Sequence, residues 1–172
     1  MKIPIDKVKE LRKESGAGIM QCRQALIESQ GNREKALEFL KEQGLLKAKA
    51  KEKRAASQGL VESYIHTGGR VGAMVELNCE TDFAARTDEF KELAHNLAMQ
   101  VAAMQPQFIS KEEAPAGSDD ELQTACLLLQ PYIKDQERSV QDIITETIAK
   151  VGENIKVSRF ARFELGEPES EK

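Results

Sequence analysis

Apolar residues recur at helical spacing in three segments of the first 44 residues, with glycine-containing stretches between them. Because residues three or four positions apart share one face of an α-helix, the pattern predicts three short helices. Asp6 is expected to cap the first helix, and Asn32 and Gly44 are expected to begin and end the third. The apolar stripes are Ile5, Val8 and Leu11, then Ile19, Cys22 and Leu26, then Ala36, Leu37 and Leu40. A three-helix domain over residues 1–45 follows, of a size typical of docking modules.

A basic segment at residues 46–57 follows this domain. Its cations are Lys47, Lys49, Lys51, Lys53 and Arg54, set among alanines. The composition favours a solvated helix or linker, and five cations in one stretch also suit contact with RNA or with an acidic partner. No aromatic residue is interleaved for base stacking, which favours the connector.

Residues 58–166 change to the period-2 alternation of β-strands, with helical segments between strands. A strand at 60–66 and the turn Thr67-Gly68-Gly69 lead into a return strand, and Thr87, Ser118 and Ser139 are placed to cap later helices. The return strand has Val71, Ala73, Val75, Leu77 and Cys79 on one face, and the last strand, 155–165, has Val157, Ala161 and Phe163 on one face. The predicted fold is α+β, a small three-stranded antiparallel sheet packed with helices, followed by a polar tail at 167–172.

The other face of this sheet is expected to carry Met74 and Phe160 among charged residues. Two apolar side chains at matching depth on an otherwise open sheet predict a packed surface. We therefore expect a homodimer that buries sheet against sheet.

Composition narrows the class of protein. The 172 residues carry a net charge of −4, which argues against generic binding to nucleic-acid backbones. No apolar run approaches the roughly 18 residues that span a bilayer, and residues 1–6 lack a signal-peptide pattern. Cys22, Cys79 and Cys126 are too far apart to suggest a metal site. We expect a cytoplasmic protein without membrane contact, direct nucleic-acid contact or metal.

The segment Asn78-Cys79-Glu80-Thr81-Asp82-Phe83 joins a predicted strand to a predicted helix. An aromatic ring at such a junction is expected to project from a rigid support and to act as a wedge against a partner. Glu80 and Asp82 suggest an acid–base pair, but nothing near them in sequence separates their pKa values. The residues alone leave three classes open: a binding protein, an RNA-binding protein and a small enzyme.

Three motifs resemble the signatures of the bacterial elongation factor Ts family, in the family's order. They are Leu11-Arg12-Lys13-Glu14-Ser15-Gly16-Ala17-Gly18-Ile19-Met20-Gln21-Cys22, Arg70-Val71-Gly72 with Glu76-Leu77-Asn78-Cys79-Glu80-Thr81-Asp82-Phe83, and Ile148-Ala149-Lys150-Val151-Gly152-Glu153-Asn154-Ile155. The resemblance covers nearly the whole chain and is closest to short members with a single core domain. It departs at Ala84, where the family often has Val.

The resemblance implies exchange of GDP for GTP on elongation factor Tu, with no covalent chemistry and no cofactor. It implies a ubiquitin-associated-like fold for the N-terminal helices, which would dock on the partner. Short members of the family also dimerise, in agreement with the predicted open face. The implied docking residues are Arg12, Ile19 and Met20, those acting near the partner's Mg²⁺ and nucleotide are Thr81, Asp82, Phe83 and Ala84, and further contacts are His66, Val151 and Gly152.

Overall fold

The structure is a computed structural model that describes residues 3–167, in which three helices precede a sheet and its covering helices. The helices are α1 (Ile5–Ser15), α2 (Ile19–Glu28), α3 (Arg33–Lys51), α4 (Asp82–Ala85), α5 (Asp88–Met104), α6 (Asp119–Ala125) and α7 (Val140–Val151). The strands are β1 (Gln58–Ile65), β2 (Val71–Cys79), β3 (Pro131–Tyr132), β4 (Asp135–Ser139) and β5 (Ile155–Glu164). The predicted α+β class is confirmed. Of the predicted polar tail, only Glu167 lies within the described residues.

Helices α1 to α3 pack as a bundle around a small core of their own. The buried side chains are Val8, Leu11, Cys22, Ala25, Leu26 and Ala36. Gly16 ends α1 with a φ of 66°, a left-handed conformation that glycine adopts without a Cβ clash. Asn32 caps α3 as predicted, because its side chain accepts a hydrogen bond from the Lys35 amide at 3.0 Å.

Three details of the bundle differ from the predictions. Asp6 is not the cap of α1, since the helix begins at Ile5 after Pro4 and Asp6 lies in its first turn. Ile5 is 71% exposed and belongs to no core stripe. Gly44 does not end α3, which continues to Lys51. A Cβ at Gly44 would lie 3.7 Å from the Ala149 Cβ, so the glycine lies where α3 passes close to α7.

The sheet has the antiparallel order β1-β2-β5, as predicted. One face of β2 is buried against the helices through Ala73, Val75, Leu77 and Cys79. Helix α5 supplies the other side of this core through Phe90, Leu93, Leu97 and Val101, although Met104, at its end, is 40% exposed. Thr87 caps α5 as predicted by accepting a hydrogen bond from the Phe90 amide at 3.3 Å.

A β-bulge in β5 overturns the prediction that Phe160 lies on the open face. Leu77 pairs with Val157 but Glu76 pairs with Arg159, so Ser158 is an extra residue in β5. One inserted residue reverses which side chains face the core. Phe160 therefore packs against the main core, whereas Ala161 and Phe163 point to solvent, with Phe163 70% exposed.

The remaining elements close one side of the core. Ser118 and Ser139 cap α6 and α7 in capping boxes, as expected, with Glu121 and Asp142 as their partners. Strands β3 and β4 form a short two-stranded ribbon that the sequence pattern did not predict. Within residues 3–167, no helix is both long and apolar enough to cross a membrane, and no cluster of His, Cys, Asp or Glu has the form of a metal site.

Candidate partner-binding site

Phe83 is the most exposed large apolar side chain in the described part of the chain, with 77% of its surface accessible. It lies in α4, a single helical turn between the end of β2 and the start of α5. Thr81 caps this turn by accepting a hydrogen bond from the Ala84 amide at 3.3 Å. Ala84 and Ala85 are buried in the main core. The turn is thus anchored through its small residues while the ring points outward.

Asp82 lies beside this ring and forms an ion pair with Arg86 at 2.8 Å. Both side chains are well exposed, so the pair contributes little to stability. Since the pair is exposed, a partner molecule can take over either charge at small energetic cost.

Glu153 holds the capping residue from across the fold. Its carboxylate accepts hydrogen bonds from the Thr81 amide at 2.9 Å and from the Thr81 hydroxyl at 2.6 Å. Glu153 lies in the turn between α7 and β5, 72 residues later in the chain. The sequence reasoning assigned Glu153 no role, although it lies within the third quoted motif. Its place in the motif from Ile148 to Ile155 was the only sequence signal for it.

The next residue, Asn154, connects the same turn to the end of α3. Asn154 is 2% exposed, and its side-chain amide donates to the carbonyls of Arg54 at 2.8 Å and Glu52 at 3.3 Å. Its backbone amide donates to the Glu80 carboxylate at 2.7 Å, and Glu80 also forms an ion pair with Arg54 at 3.5 Å. Three segments distant in sequence therefore meet at this residue.

Lys51 adds a further contact between the end of α3 and this turn, since its ammonium donates to the Gly152 carbonyl at 2.5 Å. Burial lowers the pKa of Lys51, and the nearby Arg54 lowers it further. Lys51 and Arg54 thus bind within the chain, although both belong to the segment considered for RNA contact. Lys47, Lys49 and Lys53 are the cations of this segment without a hydrogen bond or ion pair among the contacts described.

The structure brings some predicted site residues together and separates others. Val151 and Gly152 precede Glu153 directly and so lie beside the Thr81–Phe83 turn. Arg12, Ile19 and Met20 are exposed on the bundle, with Met20 67% exposed. His66 follows the opposite end of the hairpin, where its amide bonds the Val71 carbonyl. Since β2 runs from Val71 to Cys79, His66 lies roughly 25 Å along the sheet from the Phe83 turn.

Glu80 and Asp82 do not form an acid–base pair. Glu80 accepts from the Asn154 amide, while Asp82 pairs with Arg86. Burial raises the pKa of the adjacent Cys79 thiol, and the Glu153 carboxylate raises it further. A thiol kept neutral in this way is a poor nucleophile.

The fold and the site define an α+β protein in which a helical bundle is joined to a sheet-backed core that holds an aromatic ring in solvent. A family model described as Elongation factor TS matches residues 30–121. Elongation factor Ts of Moorella thermoacetica is 45% identical over 190 residues, which cover 93% of this chain and 94% of that protein. The Thermotoga neapolitana protein of that name is 44% identical over 195 residues, covering 97% and 99%, and the Syntrophomonas wolfei one is 45% identical over 195, covering 96% and 91%. The chain belongs to the elongation factor Ts family.

Proposed function

We propose that this chain is a guanine nucleotide exchange factor for elongation factor Tu. It binds that GTPase in the cytoplasm, promotes release of GDP and Mg²⁺, and allows GTP to bind during translation elongation. It changes no covalent bond and needs no cofactor of its own. Membership of the elongation factor Ts family supports this assignment.

The exposed ring of Phe83 is the observation that carries the proposal. An aromatic side chain at 77% exposure on a capped, core-anchored turn is arranged for insertion into another molecule. Burying such a ring contributes about 1.5–3 kcal/mol, which corresponds to roughly 10- to 150-fold in an equilibrium or a rate. Thr81 and Ala84 support the ring, and Asp82 beside it faces the partner's Mg²⁺ and phosphate region.

The mechanism follows from binding linkage. A factor that binds nucleotide-free elongation factor Tu more tightly than the GDP-bound form must weaken GDP binding by the same ratio. Incoming GTP must then expel the factor for the same reason. A stiff wedge suits this cycle, because a ring that is already positioned loses little conformational entropy on insertion.

The N-terminal bundle provides the second contact. Arg12, Ile19 and Met20 dock on the G domain of the partner, and two separate clusters of buried side chains support a docking domain at 1–45 and a core domain at 58–166. Residues 46–57 join the two domains. Val151 and Gly152 extend the contact next to Phe83, while His66 would form a separate patch at the far end of the sheet.

Release of a fluorescent GDP from purified elongation factor Tu tests the proposal. The wild-type protein is expected to accelerate release in a saturable manner, and added unlabelled GTP is expected to dissociate the complex. A release rate that stays at the spontaneous value at saturating protein would contradict the exchange function.

We further propose that two copies associate through the open face of the sheet. The corrected register places four exposed apolar side chains there: Val61, Ile65, Met74 and Phe163. Apolar side chains grouped on one sheet face favour association of a second sheet. Sedimentation of Phe163→Asp is expected to give a monomer, whereas Leu46→Asp, an equally drastic change on exposed α3 surface, leaves the dimer intact. A monomeric wild-type protein would refute the dimer.

A further inference from the structure

Glu153 makes two hydrogen bonds to a single residue, Thr81. One carboxylate oxygen accepts from the Thr81 amide at 2.9 Å and the other accepts from its hydroxyl at 2.6 Å. Both partners are half-buried, so the charge-assisted bonds are partly shielded from water. The two hydrogen bonds fix both the backbone and the side chain of one residue.

These hydrogen bonds also affect Phe83, because Thr81 is the cap of α4, the helix that carries Phe83. Because the Thr81 hydroxyl donates its proton to Glu153, the lone pairs of its oxygen remain to accept from the Ala84 amide. Helix α4 has only four residues, and so short a helix has no stability of its own. The direction of the Phe83 ring therefore depends on the cap as well as on the buried Ala84 and Ala85, and Glu153 holds the cap.

We propose that Glu153 is a positioning residue for nucleotide exchange, acting through Thr81 to hold Phe83 in the direction of insertion. The inference rests on the proposed exchange function. It means that the turn after α7 helps to orient the Phe83 ring. Glu153 itself need not touch the partner. Its loss should lower the rate of GDP release within the complex, while docking through the N-terminal bundle persists.

Variants with matched geometry separate this role from general stability. Glu153→Gln keeps the shape but cannot accept both hydrogen bonds, and Thr81→Val keeps the shape of threonine without its hydroxyl. Thr81→Ser retains both donors to Glu153. Glu137→Gln makes the same chemical change at an exposed carboxylate whose side chain has no hydrogen bond among the contacts described.

The measurement is the GDP release rate as a function of factor concentration, for all variants. Glu153→Gln and Thr81→Val are each expected to lower the saturating rate about tenfold, the equivalent of a single lost 1.36 kcal/mol interaction. The half-saturating concentration should change less than about twofold, since the bundle contacts are intact. Thr81→Ser keeps the hydroxyl and should lose less of the saturating rate than Thr81→Val. Glu137→Gln should match the wild type, and the double variant Glu153→Gln/Thr81→Val should be no slower than the slower single variant.

Amide hydrogen exchange of the free protein provides a second readout without any partner. In Glu153→Gln the Thr81 and Ala84 amides should exchange about tenfold faster, while the Leu97 and Val101 amides in α5 keep their wild-type protection. A Glu153→Gln protein with the wild-type saturating rate overturns the positioning role, and so does a loss that appears only in the half-saturating concentration or that Thr81→Ser shares in full. A wild-type protein that does not accelerate GDP release contradicts the exchange function itself, and the two failures are therefore distinct.

Discussion

Replacing Asn154 with Ala should release the end of α3 from the core. Asn154 is 2% exposed and its side chain donates to the carbonyls of Arg54 and Glu52 at 2.8 and 3.3 Å. Each such hydrogen bond contributes about 1 kcal/mol net, so the two together stabilise the closed segment by roughly 2 kcal/mol. Local opening of the segment should then become roughly 30-fold more frequent, because 1.36 kcal/mol corresponds to a factor of ten.

Limited trypsin digestion measures this opening directly, because Lys53 and Arg54 lie in the released segment. When opening and closing are fast relative to cleavage, the cleavage rate follows the open population. Cleavage after Lys53 or Arg54 should rise roughly 30-fold in Asn154→Ala. The control is Asn32→Ala, which removes the α3 cap at the other end of the helix and costs about 1 kcal/mol there. Equal cleavage of the wild type and Asn154→Ala at this site would refute the reasoning.

Three further predictions concern the sheet and the core beneath it. Gly59→Ala should lower the free energy of unfolding in urea by more than about 3 kcal/mol. The φ of Gly59 is 148°, and a Cβ there would lie 2.1 Å from the Leu77 carbonyl oxygen. A loss below about 1 kcal/mol would contradict this prediction. Phe90→Ala should cost about 3–5 kcal/mol, since the ring is fully buried, and an unchanged urea midpoint would contradict this. The Cys79 thiol is buried with a raised pKa, so iodoacetamide at pH 8 should alkylate it at least about tenfold more slowly in the folded than in the unfolded chain; equal rates would contradict its burial.

Local patterns in the sequence predicted the elements well where one residue type determines the geometry. Asn32, Thr87, Ser118 and Ser139 each cap the helix that they were expected to begin. Their short side chains satisfy amides two or three residues on, so the information is local. The inward face of β2 followed from simple alternation for the same reason.

Features that depend on distant contacts were not predictable from one sequence. The bulge at Ser158 reverses the faces of β5, and no residue near it in sequence marks the insertion, so Phe160 was assigned to the wrong face. Gly44 resembles a helix end, but packing of α3 against α7 carries the helix on to Lys51. Glu153 joins Thr81 across 72 residues, a contact that only the folded chain creates.

The exposure of Phe83 was predicted from its place between a strand and a helix, and its 77% exposure confirms that part of the prediction. The role of this ring in GDP release can be measured in a single experiment. Stopped-flow release of fluorescent GDP from elongation factor Tu should be compared at saturating wild type, Phe83→Ala and Leu165→Ala, the last being a 66% exposed apolar control. Because the ring would be buried in the partner, Phe83→Ala alone should lose roughly 10- to 150-fold in the saturating rate. A Phe83→Ala protein that releases GDP at the wild-type rate would contradict it.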